Sequence, residues 1–198
     1  KIIRQGPADI MPIRYWDLAA TEETPRTDPD WTAGAKVGVK DGQWFIFDMR
    51  RTRGTPKGVE DLVRQTAILD TNIMPIWIEQ EPGSSGKNTI DHYQRYVLVG
   101  WSVQGLRATG DKFLRMSPLS AAAEAGNVFL VEGAWNKDFL DEIEDIPGGH
   151  DDQADAVSGA MGILGAEIGA WELPYSADER WNVPTGDGSP NHISPEMQ

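Results

Sequence analysis

The chain has 198 residues, with 18 Lys and Arg against 31 Asp and Glu, for a formal net charge of −13. At 39% apolar and 25% charged it can bury a sizeable core in one compact domain, which excludes an intrinsically disordered chain. No apolar run approaches the ~18 residues of a membrane span, and the absence of Cys excludes disulfides, thiol catalysis and Cys-based zinc sites.

Residues 1–7 carry neither an initiator Met nor an apolar signal core, so the chain is expected to be a piece of a longer protein. Residues 13–19 read as a strand and 21–30 as a polar loop. Residues 33–40 and 44–49 read as strands joined at Asp41-Gly42, a strong hairpin signal. After Pro56 and Gly58, the spacing of Val59, Leu62, Val63, Ala67 and Leu69 predicts a helix. A strand at 74–78, a loop at 82–86, a helix at 89–99 and a strand at 101–106 follow. Residues 112–125 are expected to form a helix broken or kinked near Pro118, and Gly126-Asn127 turns into a strand at 128–131. Residues 137–146 form an amphipathic helix that Pro147-Gly148-Gly149 ends, and a last helix runs from 152 to about 168. Its small residues, among them Ala156, Gly159 and Ala160, allow close packing on a sheet. This order predicts an α/β fold, a mixed sheet covered by helices, over residues 1–172, with a loose tail at 173–198.

The charge is uneven. Residues 116–198 hold 16 acidic and 2 basic residues, whereas residues 40–115 hold 11 basic and 9 acidic ones. An acidic protein repels nucleic acid unless a basic face or metal ions intervene. Arg51, Arg53, Lys87, Lys112 and Arg115 belong to such a basic middle segment, which reads equally as solvated surface charge.

Several acids stand out. Asp17 lies inside an apolar strand, where a carboxylate is costly unless it is paired or metal-bound, or else it caps a turn at the strand end. Glu79 and Glu81, two residues apart, share a face of an extended strand at the edge where α/β sites lie. Asp152 and Asp155 share one face of the last helix behind His150 and Asp151. Acids there also suit the helix dipole, and Asp151 can serve simply as an N-cap. His150 can assist proton transfer, contact a phosphate, or belong only to the preceding loop. Carboxylates on two strands and a helix suit hard cations such as Mg2+ and Mn2+, and two such ions ~4 Å apart catalyse phosphodiester hydrolysis. Gly83-Ser84-Ser85-Gly86-Lys87-Asn88 departs from a nucleotide-binding loop in both its glycine spacing and its Asn, leaving Lys87 at most a phosphate contact.

The stretches 15–21, 30–34, 77–87, 112–122, 124–128 and 149–156, in this order and spacing, resemble the C-terminal nuclease domain of the large terminase subunit of tailed bacteriophages. The resemblance covers residues 13–165. It implies an RNase H-like fold with a central five-stranded mixed sheet, and a Mg2+- or Mn2+-dependent endonuclease that cuts concatemeric double-stranded viral DNA during packaging. By position, Asp17 would be the first-strand ligand and Asp152 and Asp155 the helix ligands, with Asp30 nearby. Glu79 and Glu81 both fit the second-strand ligand, and Glu81 is preferred because it abuts the loop. The implied partners are DNA, an ATPase domain in the same full-length chain, the portal protein and the small terminase subunit. The implied place is the procapsid portal in the host bacterial cytoplasm, without a membrane.

Three other readings remain open. A resolvase, integrase or transposase would differ in preferring branched DNA. A glycosidase, suggested by paired carboxylates and eight Trp, would resist EDTA. A packaging-motor docking module would fold and carry the carboxylates but not cleave.

Overall fold

The structure is a computed structural model that describes residues 1–19, 28–107 and 112–172, with the backbone alone for 112–114 and 167–172. The expected tail at 173–198 and most of the expected loop at 21–30 lie outside the described residues. The strands are β1 (Ile2–Ile3), β2 (Ile13–Asp17), β3 (Thr32–Lys40), β4 (Gln43–Thr52), β5 (Ile76–Gln80), β6 (Val103–Arg107) and β7 (Val128–Val131). The helices are α1 (Pro56–Asp70), α2 (Ser84–His92), α3 (Lys112–Glu124), α4 (Asn136–Asp145) and α5 (Asp152–Glu172), with a π-helical turn at Tyr93–Val97.

All seven strands form one sheet in the order β1-β7-β4-β3-β2-β5-β6. The β2–β3 and β3–β4 pairs are antiparallel, and the flanking pairs are parallel. The expected five-stranded sheet is therefore corrected to seven strands. The parallel edge of β7 left open by β4 is filled by β1, where Leu130 N–H donates to Lys1 O and Glu132 N–H to Ile3 O, both at 2.8 Å. A two-residue strand carries no period-2 pattern to read. The β3–β4 turn behaves as expected: Asp41 and Gly42 take φ of 51° and 73°, the left-handed pair that a two-residue hairpin requires.

Three local expectations change. The Gly- and Ser-rich stretch at 82–86 is mostly helix, because Gly83, at φ 93°, precedes a first turn that begins at Ser84. Gly86 lets that turn press on the Glu81 main chain, where a Cβ would overlap the carbonyl. α3 runs on through Pro118 to Glu124, and α5 extends past 168 to Glu172.

Alternation along the strands divides the core. Ile13, Tyr15, Ala33, Ala35 and Val37 face α3, α4 and α5. Trp16, Ile76 and Ile78 face α1, α2 and the π-helical turn. Trp16 is fully buried, whereas Trp44 and Trp77 are half-buried against the first of these cores. Arg14 on β2 is itself buried. Its Nε bonds Asp70 Oδ2 (2.7 Å), its Nη2 bonds Asp48 Oδ2 (2.9 Å) and its Nη1 donates to Gly34 O (2.9 Å). One guanidinium thereby ties β2 to β3, β4 and the end of α1 with its charge fully paired.

α5 lies on β2 and β3 through Ala156, Gly159 and Ala160. A Cβ at Gly159 would overlap the Tyr15 ring, which is 1% exposed and has nowhere to move. Gly159→Ala should therefore destabilise the protein by about 1–3 kcal/mol in denaturant unfolding, although Ala is the better helix former by ~1 kcal/mol. An increase in stability would show that the α5–sheet contact is looser than described.

Candidate metal centre

Strand register sets the first two acids. β2 and β5 are parallel neighbours, with Tyr15 opposite Trp77 and Trp16 opposite Ile78. One further step puts Asp17 beside Glu79, on the face that α5 covers. The Tyr15 hydroxyl, on that same face, donates to Glu79 Oε2 at 3.2 Å. Burial pushes the Tyr15 hydroxyl pKa upward, and the neighbouring Glu79 and Asp17 charges add to this, so it remains a donor. Arg115 Nη1 stands 3.6 Å from Glu79 Oε1.

Glu81 falls beyond the end of β5, so strand alternation does not carry to it. It lines, with Glu79, Leu18, Glu60 and His92, a cleft of about 450 Å³ at the mouth of α1 and α2. Between the two acids, the register therefore makes Glu79 the neighbour of Asp17.

The third group sits at the start of α5. Asp152 and Asp155 occupy its first turn, and both are buried. The Asp151 carbonyl accepts the Asp155 N–H at 2.8 Å. Asp152 Oδ2 accepts the Trp31 N–H at 3.0 Å. Trp31 precedes β3, in which Ala33 is opposite Asp17, so the helix acids and Asp17 meet at the same sheet edge. His150 Nδ1 lies 3.5 Å from Asp152 Oδ2 and 3.9 Å from Asp30 Oδ1. One ligand atom each from Asp30, His150 and Asp152 fall within 4.8 Å of one another. Among the described residues this trio converges in that way, and Asp17, Glu79, Glu81 and Asp155 stand outside it. Two carboxylate oxygens and one imidazole nitrogen fit Mg2+, Mn2+ or Zn2+.

His150 is held from behind. Arg53 Nη2 lies 2.7 Å from its Nε2, and Asp28 Oδ2 lies 3.0 Å from the same nitrogen. Arg53 also pairs with Asp28 Oδ1 at 2.6 Å. With its proton on Nε2 the ring donates to Asp28 and leaves the Nδ1 lone pair for a cation; with the proton on Nδ1, Nε2 accepts from Arg53 instead. The hydrogen bond from His150 and the adjacent Arg53 hold the Asp28 carboxyl below its ordinary value.

The expected DNA-contacting cations take varied positions. Arg51 pairs with Asp138 (2.6 Å), and the guanidinium groups of Arg51 and Arg53 lie over the Trp31 ring at 4.4 and 4.3 Å. They hold the tryptophan whose N–H anchors Asp152. Lys87 projects from the exposed surface of α2, and Lys112 begins α3 with its side chain outside the described residues. Sequence reasoning gave no role to Tyr15 and Trp31, although both lie in the resembling stretches 15–21 and 30–34, nor to Asp28, which lies outside them. It also passed over Glu142, which Phe139, one turn earlier, places on the buried face of α4.

A family model described as the Terminase RNaseH-like domain matches residues 14–162. The chain belongs to the terminase RNaseH-like domain family. Solved structures of similar fold agree with that membership. The P22 large terminase nuclease domain has a TM-score of 0.60 at 12% identity, covering 83% of this chain and 87% of that one. The large terminase nuclease of thermophilic phage G20c with bound zinc has 0.58 at 17%, covering 79% and 82%. The human cytomegalovirus terminase nuclease domain has 0.56 at 15%, covering 80% and 86%. At such identities the likeness establishes the RNase H-like fold. No curated protein sequence matches the chain.

Burial pushes the Asp152 carboxyl above its ordinary value. The Trp31 N–H and His150 oppose this, while the charges of Asp30 and Asp151 reinforce it. Above that raised pKa the folded protein carries a charge at a cost relative to the unfolded chain, and the cost fades as pH falls through it. Asp152→Asn keeps an acceptor for Trp31 and loses the charge. Without metal near neutral pH it should melt above wild type. The gap should close as the pH falls towards about 4. Thermal melts in EDTA across that range test this, and a variant that melts lower at neutral pH would refute it.

Proposed function

We propose that this domain is a metal-dependent endonuclease that cuts concatemeric double-stranded viral DNA during genome packaging. The observation that carries the reading is the convergence of Asp30, His150 and Asp152 at the edge of an RNase H-like sheet, beside the strand that ends in Asp17. Cation binding by this domain is supported by related structures, since the G20c nuclease has been obtained with bound zinc and with bound magnesium, and the cytomegalovirus domain soaked with Mn.

Asp17, Asp152 and Asp155, with Glu79 or Glu81, would hold two cations, joined by Asp30 and His150. Mg2+ or Mn2+ bound there supplies water activation and neutralises charge at the scissile phosphate. The chain's own residues do the rest. Tyr15 fixes Glu79 by its hydrogen bond. Arg53 and Asp28 fix the His150 ring. Arg115, on α3 and half-buried beside Glu79, presents a positive charge where a DNA phosphate would approach; Lys87 on the exposed surface of α2 and Lys112, the first residue of α3, are the other candidate contacts.

With a net charge of −13, the domain alone should bind DNA weakly and with strong salt dependence. The remaining affinity would come from an ATPase domain in the same full-length chain, the portal protein and the small terminase subunit, at the procapsid portal in the host cytoplasm.

Supercoiled plasmid incubated with the protein in Mn2+, Mg2+ or EDTA tests the reading. Wild type should nick and linearise the plasmid with either cation and leave it intact in EDTA. Asp17→Asn and Asp152→Asn should each lower the rate at least ~100-fold. A folded wild type that leaves plasmid intact under every condition would favour a docking role in the packaging motor.

A further inference from the structure

Glu142 is a buried carboxylate for which the cleavage chemistry has no use. It lies on α4 and is 7% exposed. Its Oε1 accepts the main-chain N–H groups of Gln153 (2.7 Å) and Ala154 (3.2 Å), and its Oε2 accepts Gln153 Nε2 at 2.6 Å. All three partners donate, so the group is used as an ionised acceptor. The two main-chain donors are the second and third residues of α5, whose N–H groups have no partner within the helix. Glu142 thus caps α5 from another helix, and Gln153 Nε2 reaches Asp138 O at 3.3 Å to fasten α5 further onto α4.

The consequence is electrostatic. A helix N-terminus behaves as about half a positive charge and attracts anions. The first turn of α5 is built the other way, with Asp152 and Asp155 on it and Asp30 and His150 against it, a donor set for a cation. An uncompensated positive pole would oppose the ion this set fits. We propose that Glu142 is a positioning residue for the metal centre, fixing the first turn of α5 and offsetting its positive pole so that this helix end holds cations instead of anions. The inference rests on the metal reading above, and Glu142 itself touches neither cation nor DNA.

Glu142→Gln separates charge from geometry. Its amide oxygen still accepts the Gln153 and Ala154 N–H groups, and the Gln153 amide can turn to meet the new NH2. Mn2+ titration of the DNA-free protein by calorimetry, with thermal melts in EDTA, provides two readouts. The expected result is a Mn2+ dissociation constant raised roughly fivefold, with a melting temperature equal to or above that of wild type. Glu142→Ala, which removes the acceptor, should lower both affinity and melting temperature. Equal Mn2+ affinity in wild type and Glu142→Gln overturns the proposal and leaves the metal reading standing. A Glu142→Gln variant that loses affinity and melting temperature together assigns Glu142 to packing and also overturns it. A wild type that binds no Mn2+ overturns the metal reading and this proposal with it.

Discussion

The closeness of α5 to the sheet governs the rest of the site. At Gly159 the helix backbone rests on the flat of the Tyr15 ring, with Ala156 and Ala160 on either side. A larger residue at that crossing would lift the helix and carry Asp152 away from the Trp31 N–H, since a packed interior has no slack to absorb a methyl group. The same ring sends its hydroxyl to Glu79. One side chain therefore sets both the height of the helix acids over the sheet and the orientation of the strand acid beside Asp17.

Such closeness gathers negative charge where water is scarce, and the protein deals with this one charge at a time. On the far face of the sheet, Arg14 is matched by Asp48 and Asp70, with Lys36 3.1 Å from Asp70, so its burial leaves no charge unpaired. At the site edge Arg53 pairs directly with Asp28 and Arg51 with Asp138, while both support Asp152 only indirectly. Arg51 and Arg53 lie over Trp31, and Trp31 gives its N–H to Asp152. Each such stacking contributes about 0.5–1 kcal/mol at an exposed site, enough to orient a ring though not to neutralise a carboxylate. Asp152 keeps a pKa raised by its burial, so a divalent cation would relieve a cost already present in the fold.

Much of the architecture was legible locally. Asp41-Gly42 announced its hairpin because few sequences tolerate two left-handed residues in succession. The Ala- and Gly-rich last helix announced a close contact, and Asp17 and Asp152 stood out as charges within apolar surroundings. β1 was not legible, because two residues have no pattern. The start of α2 was hidden because glycine and serine signal a loop, whereas here glycine admits a helix onto a neighbouring backbone. Glu79 and Glu81 both fit the sequence and Glu81 is preferred there because it abuts the loop, whereas β5 ends at Gln80, so strand alternation carries only Glu79 to the side of Asp17.

The sequence by itself determined the α/β class, the order of the long elements, the family resemblance and the acids worth examining, because periodicity, turn chemistry and motif spacing act over a few residues at a time. Only the tertiary structure decided which groups meet. Asp30 and Asp152 are more than a hundred residues apart yet share His150, and Glu142 caps a helix other than its own. Register between strands and the depth at which a helix settles depend on every side chain in the contact. No local pattern specifies them, and a shift of one residue in β2 or β5 would turn Asp17 or Glu79 to the opposite face.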